Sequence, residues 1–325
     1  MNVLLTGGNG LLGQNVLSQL LQRGHKVTVV ARKGATGMGR IESLPVKICY
    51  GSFLDPELLR QAATGCEAIV HCAGTTDMSL RHLDDFLPVN RDGCQVVADT
   101  METLGIRTLV YVSTANTVGY GTPSHPATEE DPWQPPFRES FYAQSKLQGE
   151  RIIADLARRH PDGHIVTVNP GFMIGGHDYK PSSGQLLDTG YRKRIMAAPS
   201  GGKSFIYVGD AATAIANALE MGRNGERYLL TAWNMSIPDF YKLQSRVCGY
   251  RQRLFVAPDW LLMAGGRIGD LMGKIGIRTQ VSTRNVRQLL VMEYYDNTKA
   301  RTELQMPQTP IENGIREYFE VTSKN

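Results

Sequence analysis

Residues 6–13 read Thr-Gly-Gly-Asn-Gly-Leu-Leu-Gly, after an apolar run that begins at residue 3 and before a helical pattern of apolar residues at 11–23. A glycine-rich turn that links a first strand to a first helix is typical of a dinucleotide-binding βαβ unit. Gly7 permits a tight turn, Gly10 lets the backbone approach a diphosphate, and Gly13 lets the helix pack closely on the strand. Because a helix N-terminus attracts anions, we predict a phosphate site formed by Gly7, Asn9, Gly10, Leu11, Leu12 and Gly13.

Short apolar runs alternate with helical patterns as far as Asn169. Strands are predicted at 3–6, 26–31, 46–50, 68–72, 107–113 and 165–169, and helices at 11–23, 56–64, 87–104 and 139–160. Alternation of this kind implies right-handed crossovers and a parallel sheet. The strands lack in/out alternation, as expected when helices cover both faces of the sheet. We therefore predict an α/β fold with a Rossmann-type doubly wound parallel sheet.

The regular alternation ends after Asn169. Residues 170–202 are rich in Gly, Pro and Ser and are predicted as loop, and the pattern from 236 onward is mostly helical. A strand at 205–208, a helix at 211–221 and a strand at 227–231 lie between them. We predict a dinucleotide-binding domain at 1–169, to which part of 205–231 returns. Residues 170–204 and 232–325 would form a smaller, mostly helical substrate-binding region.

Charge and cysteine usage limit the class of protein. The 325 residues carry a formal net charge of +4, and no block of Lys and Arg stands out, so nucleic acid is not an expected partner. The five cysteines form no C-x-x-C pair, and their odd number argues against a disulfide framework. Free thiols suit a reducing cytosol, so a cytoplasmic location is predicted, and no metal site is predicted.

The sequence predicts no targeting or membrane-spanning segment. The N-terminus reads MNVLLTGG and lacks the basic start and long apolar stretch of a signal peptide. The most apolar late segment, 260–277, is interrupted by Arg267, Asp270 and Lys274. We expect it to form an amphipathic helix that packs on the body of the protein or on a pocket for an apolar substrate.

The end of the second predicted strand indicates which nicotinamide cofactor is used. An NAD site usually has an acidic residue there, which binds the ribose hydroxyls. This chain instead has Arg32 and Lys33, after Val-Val-Ala at 29–31. A 2′-phosphate would find a fork of donors in Arg32 and a second positive charge in Lys33. NADP(H) is therefore favoured over NAD.

A tyrosine and a lysine share one face of the predicted helix at 139–160. Tyr142 and Lys146 are four residues apart, so their side chains are neighbours. A free phenol has a pKa of about 10, and a nearby ammonium favours the phenolate and lowers that value. Lys146 can also bind the nicotinamide ribose. The pair predicts acid-base chemistry with Tyr142 as the proton donor.

Two hydroxyl residues stand at the carboxyl end of the fifth predicted strand, namely Ser113, its last residue, and Thr114. Ligand sites in open α/β sheets lie at the carboxyl ends of the strands. A hydroxyl at this position would hold a substrate carbonyl oxygen beside Tyr142. The alternative is a hydroxyl that only bonds its own backbone.

Several segments together resemble the extended short-chain dehydrogenase/reductase superfamily. They are TGGNGLLG at 6–13, VHCAG at 70–74, PVNRDG at 88–93, STANTVG at 113–119 and YAQSK at 142–146. The similarity continues through GFMIGGHD at 171–178, YVGDAATA at 207–214 and GERYLL at 225–230. Within the superfamily, the chain is most similar to the branch of dihydroflavonol 4-reductases and 3β-hydroxysteroid dehydrogenases.

This resemblance implies roles for individual residues. Tyr142 would be the general acid/base and Lys146 would anchor the ribose, while the catalytic hydroxyl falls on Thr114, with Ser113 as the second candidate. Arg32 would bind the 2′-phosphate, and the asparagine of the fourth crossover helix falls on Asn90. The further cofactor contacts would be Ser52, Phe53, Cys72, Ala73, Gly74, Pro170, Phe172 and Met173. The helix of Tyr142 often forms a dimer interface in this superfamily, so a homodimer is also an expectation.

Three positions depart from the superfamily's patterns. The Asp that often contacts the adenine after strand three is absent, because Gly51 is followed by Ser52 and Phe53. Sugar-nucleotide epimerases commonly have Asn where this chain has Phe172, and Tyr where it has Gly119. The last two changes favour a substrate more apolar than a sugar nucleotide.

The predicted function is NADP(H)-dependent reduction of a ketone or aldehyde on an apolar small molecule, or oxidation of the alcohol. An epimerase or dehydratase that retains its NAD(P) through each cycle is the main alternative. A non-catalytic NADP-sensing protein on the same fold is a further alternative, although such proteins usually lose the Tyr/Lys pair that this chain keeps.

Overall fold

The computed structural model describes residues 1–179 and 182–322. In these residues the strands are β1 (Asn2–Thr6), β2 (Lys26–Ala31), β3 (Lys47–Tyr50), β4 (Ala68–His71), β5 (Thr108–Val112), β6 (His164–Pro170), β7 (Phe172–Ile174), β8 (Ile195–Ala198), β9 (Gly202–Tyr207), β10 (Arg227–Leu230), β11 (Trp233–Ser236) and β12 (Arg253–Val256).

The α-helices of the same residues are α1 (Leu11–Gln22), α2 (Met38–Glu42), α3 (Pro56–Ala63), α4 (Gly93–Leu104), α5 (Phe141–Arg159), α6 (Gly184–Gly190), α7 (Val208–Asn217), α8 (Ile237–Val247), α9 (Asp259–Lys274), α10 (Thr283–Gln288), α11 (Thr298–Glu303) and α12 (Ile311–Thr322). A π-helix covers Pro88–Asp92, and short 3-10 helices cover Leu83–Asp85, Ala115–Thr117 and Phe137–Glu139.

Seven of the described strands form one parallel sheet in the order β10-β6-β5-β4-β1-β2-β3. The strand order reverses at β1, which pairs with both β2 and β4. Chain crossovers on the two sides of this point lead away from each other, so a crevice opens at the carboxyl ends of β1 and β4. The predicted doubly wound parallel sheet is confirmed.

Helices cover both faces of the sheet. Leu5 and Val70 belong to a core cluster shared with α1, α2 and α7. Leu4 and Ile69, one position earlier on the same two strands, belong to a second cluster shared with α3, α4 and α5. Since consecutive side chains point to opposite faces, both must be apolar. This arrangement explains why the strands read as continuous apolar runs.

The strand β10 pairs in parallel with β6 at the edge of the sheet, with Leu230 opposite Pro170. The preceding strand, β9, instead joins a separate sheet with the order β11-β9-β7. A two-stranded sheet of β12 and β8 completes the C-terminal region. Phe205 of β9 stacks on Phe240 of α8 with ring centroids 4.2 Å apart, and both rings are fully buried in the core of this region.

The prediction of loop for residues 170–202 is wrong, because β7, α6 and β8 lie within this segment. Each strand there gains its hydrogen bonds from a distant partner: β7 pairs with β9, and β8 pairs with β12. The strand β12 likewise interrupts the predicted helical part. Short segments stabilised by non-local pairing leave no periodic signal in their own composition.

The predicted helix at 87–104 is not continuous, since the π-helix Pro88–Asp92 precedes α4. One wider turn cannot be distinguished from an ordinary helical turn by the spacing of apolar residues. Turns of this type occur frequently at functional sites. Here the π-helix contains Asn90, whose side chain is buried.

The strand predicted at 205–208 begins earlier, at Gly202, and the helix predicted at 211–221 is α7.

The amphipathic helix predicted at 260–277 exists as α9, but most of its apolar residues do not pack on the body. Only Gly266 and Gly269 of this helix are buried. Trp260 and Leu271 are 72% and 63% exposed. The expectation of a packed apolar face is therefore wrong.

Across the ranges that the structure describes, no helix has both the length and the apolar character needed to cross a membrane.

Candidate active site

The glycine-rich turn between β1 and α1 is built around close backbone approaches. Gly7 has φ of 71°, and its carbonyl accepts a hydrogen bond from the Gly10 N–H at 3.1 Å. A Cβ at Gly13 would lie 2.1 Å from the Gly7 oxygen, and a Cβ at Gly7 would lie 2.5 Å from the Ala73 nitrogen. No larger residue fits at either position. The lack of side chains at Gly7 and Gly13 allows the backbone of the turn to pack directly against α1 and the end of β4.

The N-terminus of α1 lacks a side-chain cap. Gly10 is its N-cap residue, and no side chain there accepts a hydrogen bond from the first turn. The first amides of a helix have no partner within the helix, so those that begin at Leu11 and Leu12 can bind an anion. Asn9 holds the loop after β2 in place, because its amide donates to the Thr36 carbonyl at 3.2 Å. This cradle fits the diphosphate of a dinucleotide.

The segment after β4 lies between the phosphate turn and α5. Ala73 is buried and Cys72 half-buried, whereas Gly74 is exposed. A Cβ at Gly74 would lie 3.7 Å from the Lys146 Nζ and 3.3 Å from the Asn90 Oδ1. The structure thus brings together three regions that are far apart in the sequence.

Asn90 links the loop after β4 to the helix α5. Its amide nitrogen donates to the Ser145 Oγ at 2.9 Å and to the Thr75 carbonyl at 3.1 Å. Its amide oxygen accepts from the Thr75 N–H at 2.9 Å. The bond to Ser145 is buried, so the low dielectric of the interior strengthens it, and together with the two partly buried bonds to Thr75 it fixes the loop against α5.

Tyr142 and Lys146 occupy one face of α5, which begins after a Ser140 cap that accepts from the Ala143 N–H at 3.4 Å. Lys146 is 3% exposed, and its ammonium donates to the Val112 carbonyl at 2.7 Å. The same ammonium lies 4.5 Å from the centre of the Tyr111 ring. The last residue of β5 and the ring of Tyr111 therefore position the lysine.

Thr114 contacts the phenol of Tyr142, whereas Ser113 does not. The Thr114 hydroxyl lies close enough to the Tyr142 phenol to lower its pKa, and it also accepts from the Asn116 N–H at 3.3 Å. The Ser113 Oγ is buried and has no hydrogen-bond partner in the described part of the chain. Of the two hydroxyl candidates, the geometry places Thr114 beside the tyrosine.

Burial dominates the ionisation of the two α5 residues. It raises the pKa of Tyr142 to about 12, an effect that the Glu150 carboxylate reinforces and the Thr114 hydrogen bond opposes. Burial also lowers the pKa of Lys146. The predicted lowering of the Tyr142 pKa is not seen in this structure, where desolvation of the phenolate is the largest effect and the Lys146 ammonium donates to the Val112 carbonyl. Tyr142 keeps its proton at neutral pH.

Glu150 is a site residue that the sequence reasoning missed. Its Oε1 accepts from the Thr117 Oγ at 2.6 Å and from the Asn169 amide at 2.7 Å, and the side chain is 5% exposed. It follows Lys146 by four residues, as Lys146 follows Tyr142, so all three share one helix face. The continued spacing of four residues is the sequence signal that could have identified Glu150.

The residues predicted to bind the adenosine end lie at the carboxyl ends of β2 and β3. Arg32 and Lys33 are exposed, and neither side chain has an ion-pair partner within residues 1–179 and 182–322. Ser52 is exposed, and the Phe53 ring lies 5.4 Å from the His71 ring. Two cations thus stand free beside a polar residue and an aromatic residue, a surface that suits a phosphorylated nucleoside.

Three predicted cofactor contacts lie where β6 passes into β7. Pro170 is the last residue of β6, and Phe172 and Met173 belong to β7. The Phe172 ring packs against the Phe205 ring with centroids 5.5 Å apart. Gly119 offers no space for the tyrosine found in epimerases, because even a Cβ there would lie 2.5 Å from the Pro132 carbonyl oxygen.

A small cavity lies beside Tyr142, between the loop after β4, the start of α5 and the helix α10. It is lined by Met78, Leu80, Phe86, Ser140, Phe141, Tyr142, Arg284 and Asn285. The Arg284 guanidinium lies 3.7 Å above the Phe141 ring, and the Asn285 amide donates to the Met78 carbonyl at 3.1 Å. Four of the side chains that line this small cavity beside Tyr142 are apolar.

The Rossmann sheet, the glycine cradle and the Tyr142, Lys146 and Thr114 group define the class of an NAD(P)-dependent oxidoreductase-type enzyme. The family model described as "NAD dependent epimerase/dehydratase family" matches residues 3–231. The chain belongs to this family and is a member of the extended short-chain dehydrogenase/reductase superfamily, as the sequence motifs predicted.

Two curated relatives are similar to most of this chain. A putative dihydroflavonol 4-reductase of Synechocystis sp. is 26% identical over 319 residues, which are 96% of this chain and 91% of the relative. A 4-hydroxy-2-methyl-3-oxo-4-farnesyl-3,4-dihydroquinoline-1-oxide ketoreductase of Stigmatella aurantiaca is 30% identical over 237 residues, 71% of this chain and 68% of the relative. Among solved structures, that of gox2253 has a TM-score of 0.84 and 23% identity, with 99% of this chain and 98% of the other covered.

Proposed function

We propose that this enzyme reduces the ketone or aldehyde group of a relatively apolar small molecule with NADPH, or oxidises the corresponding alcohol. The observation that carries this proposal is the contact between the Tyr142 phenol and Thr114, with Lys146 buried one helical turn away. A bound nicotinamide supplies or accepts the hydride, and the protein supplies orientation and the proton. Gly7–Gly13 would hold the diphosphate, and Lys146 the nicotinamide ribose.

The tyrosine is suited to give a proton to a carbonyl oxygen. A pKa of about 12 keeps the phenol protonated at neutral pH, and the Thr114 hydroxyl lies beside it. In reduction, the phenol donates its proton as the carbonyl oxygen gains negative charge. In oxidation, the reverse transfer needs the phenolate, so alkaline pH favours that direction.

The surroundings of Tyr142 support an apolar substrate. Met78, Leu80, Phe86 and Phe141 line the cavity beside the phenol. Apolar linings bind substrates mainly by burying apolar area, while a few polar groups set orientation. The compound named for the ketoreductase relative contains a farnesyl group, which is apolar and agrees with this interpretation.

Net consumption of NADPH is the measurement that separates the proposal from its alternative. Because a reductase releases oxidised cofactor after each cycle, we expect one NADPH oxidised per alcohol formed from a panel of apolar ketones and aldehydes. The family also contains epimerases and dehydratases, so an enzyme that retains its cofactor is the second candidate. Purified protein that carries bound oxidised cofactor and consumes no NADPH would favour the second candidate and contradict the first.

We also propose that Arg32 and Lys33 select NADPH over NADH by binding the 2′-phosphate. Charge-assisted hydrogen bonds to phosphate are strong, so Arg32→Ala should weaken NADPH binding by about tenfold or more while changing NADH binding little. The exposed Arg301, on α11, offers a matched control in Arg301→Ala. Titration of both cofactors against the three proteins gives the result. An unchanged preference in Arg32→Ala would remove the assignment.

A further inference from the structure

The helix α9 presents an unusual apolar face to solvent. Trp260, Leu261, Ile268, Leu271 and Ile275 are between 51% and 72% exposed. Ile268, Leu271 and the C-cap Ile275 follow one another at spacings of three and four residues, and Trp260 and Leu261 lie eight and seven residues before Ile268, so all five fall on one side of the helix. Beside the start of α9, the exposed residues Ile195, Phe255 and Val256 of β8 and β12 extend the patch. An apolar stripe of this length on a water-exposed helix indicates a surface that something covers.

Cations lie on α9 and on the segments that lead into it. Arg267 and Lys274 are exposed on α9 and Arg278 just beyond it, and the other exposed cations lie before β8, at the end of α8 and at the start of β12, namely Arg192, Lys193, Arg194, Arg246, Arg251 and Arg253. Arg194, Arg246, Arg251 and Arg253 line one open groove together with Ile195. None of the nine forms an ion pair with a carboxylate in the described part of the molecule.

The few carboxylates in the same stretch are already engaged. Residues 246–278 contain only two acidic side chains, Asp259 and Asp270. Asp259 accepts from the Ser200 Oγ at 2.8 Å, and Asp270 accepts from the Thr283 N–H at 3.2 Å. A second copy of this chain would therefore bring unneutralised cations together, which disfavours self-association through this face.

We propose that α9 and the basic residues around it form a docking surface for an anionic lipid bilayer. A helix with Trp and Leu on one face and flanking Lys and Arg lies in the plane of a membrane interface, with its apolar side in the acyl boundary. The cations add electrostatic attraction to anionic headgroups. An anionic bilayer can both bury the apolar stripe and attract the nearby cations. This docking is peripheral and requires no spanning segment.

The docking surface is connected to the cavity beside Tyr142. The helix α10 packs against α9 and contributes Arg284 and Asn285 to the cavity lining. The Arg81 guanidinium, from the loop after β4, reaches the Ile277 carbonyl just beyond α9 at 3.5 Å. A bilayer seated on α9 would thus adjoin the elements that border the approach to the phenol. Given the proposed function, an apolar substrate would have a short path from the membrane to the site.

Sedimentation of the full chain with vesicles tests the docking surface without substrate or cofactor. We expect binding to vesicles of equimolar phosphatidylcholine and phosphatidylglycerol, and weak binding to phosphatidylcholine alone. Leu271→Gln should weaken binding by about tenfold through lost apolar burial, and Arg251→Glu by about tenfold through reversed charge. Raised salt should weaken the binding further, since it screens the charges.

Matched controls are available elsewhere on the surface. Leu104 is exposed at the end of α4 and Arg301 is exposed on α11, so Leu104→Gln and Arg301→Glu should bind as the wild type does. No sedimentation with anionic vesicles, or equal binding by the test and control variants, would overturn the proposal. So would a dimer that Leu271→Gln converts to monomer, because that result assigns the face to a second copy. Each outcome is independent of whether NADPH is consumed.

Discussion

A phenol donates a proton near neutral pH only if it holds one, and Tyr142 meets this condition even without the effect of burial. The unperturbed pKa of tyrosine already lies above neutrality, and desolvation raises it to about 12. Thr114 lies beside the phenol and lowers its pKa, and Asn90 and Glu150 fix the surrounding loops. The site therefore depends on how α5 meets the ends of β4 and β5 rather than on a low pKa.

His71 gives a pH-dependent property that can be measured. It is fully buried at the end of β4, with its Nδ1 2.7 Å from the Thr6 Oγ. Burial, reinforced by the Lys146 charge, lowers its pKa from 6.5 to about 3. Between these values the unfolded chain binds a proton that the folded chain does not, so stability falls as the pH drops below 6.5 toward 3.

We therefore expect His71→Leu to lessen the loss of stability on acidification. The free energy of unfolding, from urea titrations at pH 7 and pH 5, should fall by about 2 kcal/mol more in the wild type than in the variant. His125 is exposed, so His125→Leu should keep the wild-type pH dependence. Equal losses in His71→Leu and the wild type would show that His71 is not held neutral by the fold.

The elements that the sequence predicts best are those with a local signal. The unit β1–α1–β2 was predicted from the spacing of the glycines and from continuous apolar runs. Such runs occur because both faces of the sheet are covered by helices. The face of Tyr142 and Lys146 on α5 follows from a spacing of four. Physical constraints within about twenty residues were enough to place these elements.

Elements held by distant partners were predicted poorly. The strands β7, β8 and β12 are short, and each depends on a hydrogen-bonded partner elsewhere in the chain. The π-helix around Asn90 differs from an α-helix by a single wider turn, which no apolar pattern reveals. The same limit applies to the contact of Thr114 with Tyr142, because the two residues meet only after β5 and α5 pack together.

The assembled molecule shows a charge distribution that the linear sequence hides. The net charge of +4 is small, and the cations around α9 come from separate segments at 192–194, 246–253 and 267–278. Folding brings the first two segments together in one groove, while the third lies on α9 and just beyond it. The expectation that α9 packs on the body failed because sequence periodicity detects an amphipathic helix but does not show what covers it.

The assignment of the proton donor connects the cofactor cradle, the cavity and the proposed reaction. Reduction of a ketone identified by the NADPH assay should be compared in wild type, Tyr142→Phe and the control Tyr120→Phe, whose hydroxyl bonds only the Pro135 carbonyl in the described chain. We expect Tyr142→Phe to lower kcat by about a hundredfold or more, with NADPH affinity nearly unchanged, because only proton transfer is lost. Undiminished turnover, or an equal loss of NADPH binding, would contradict the role of Tyr142.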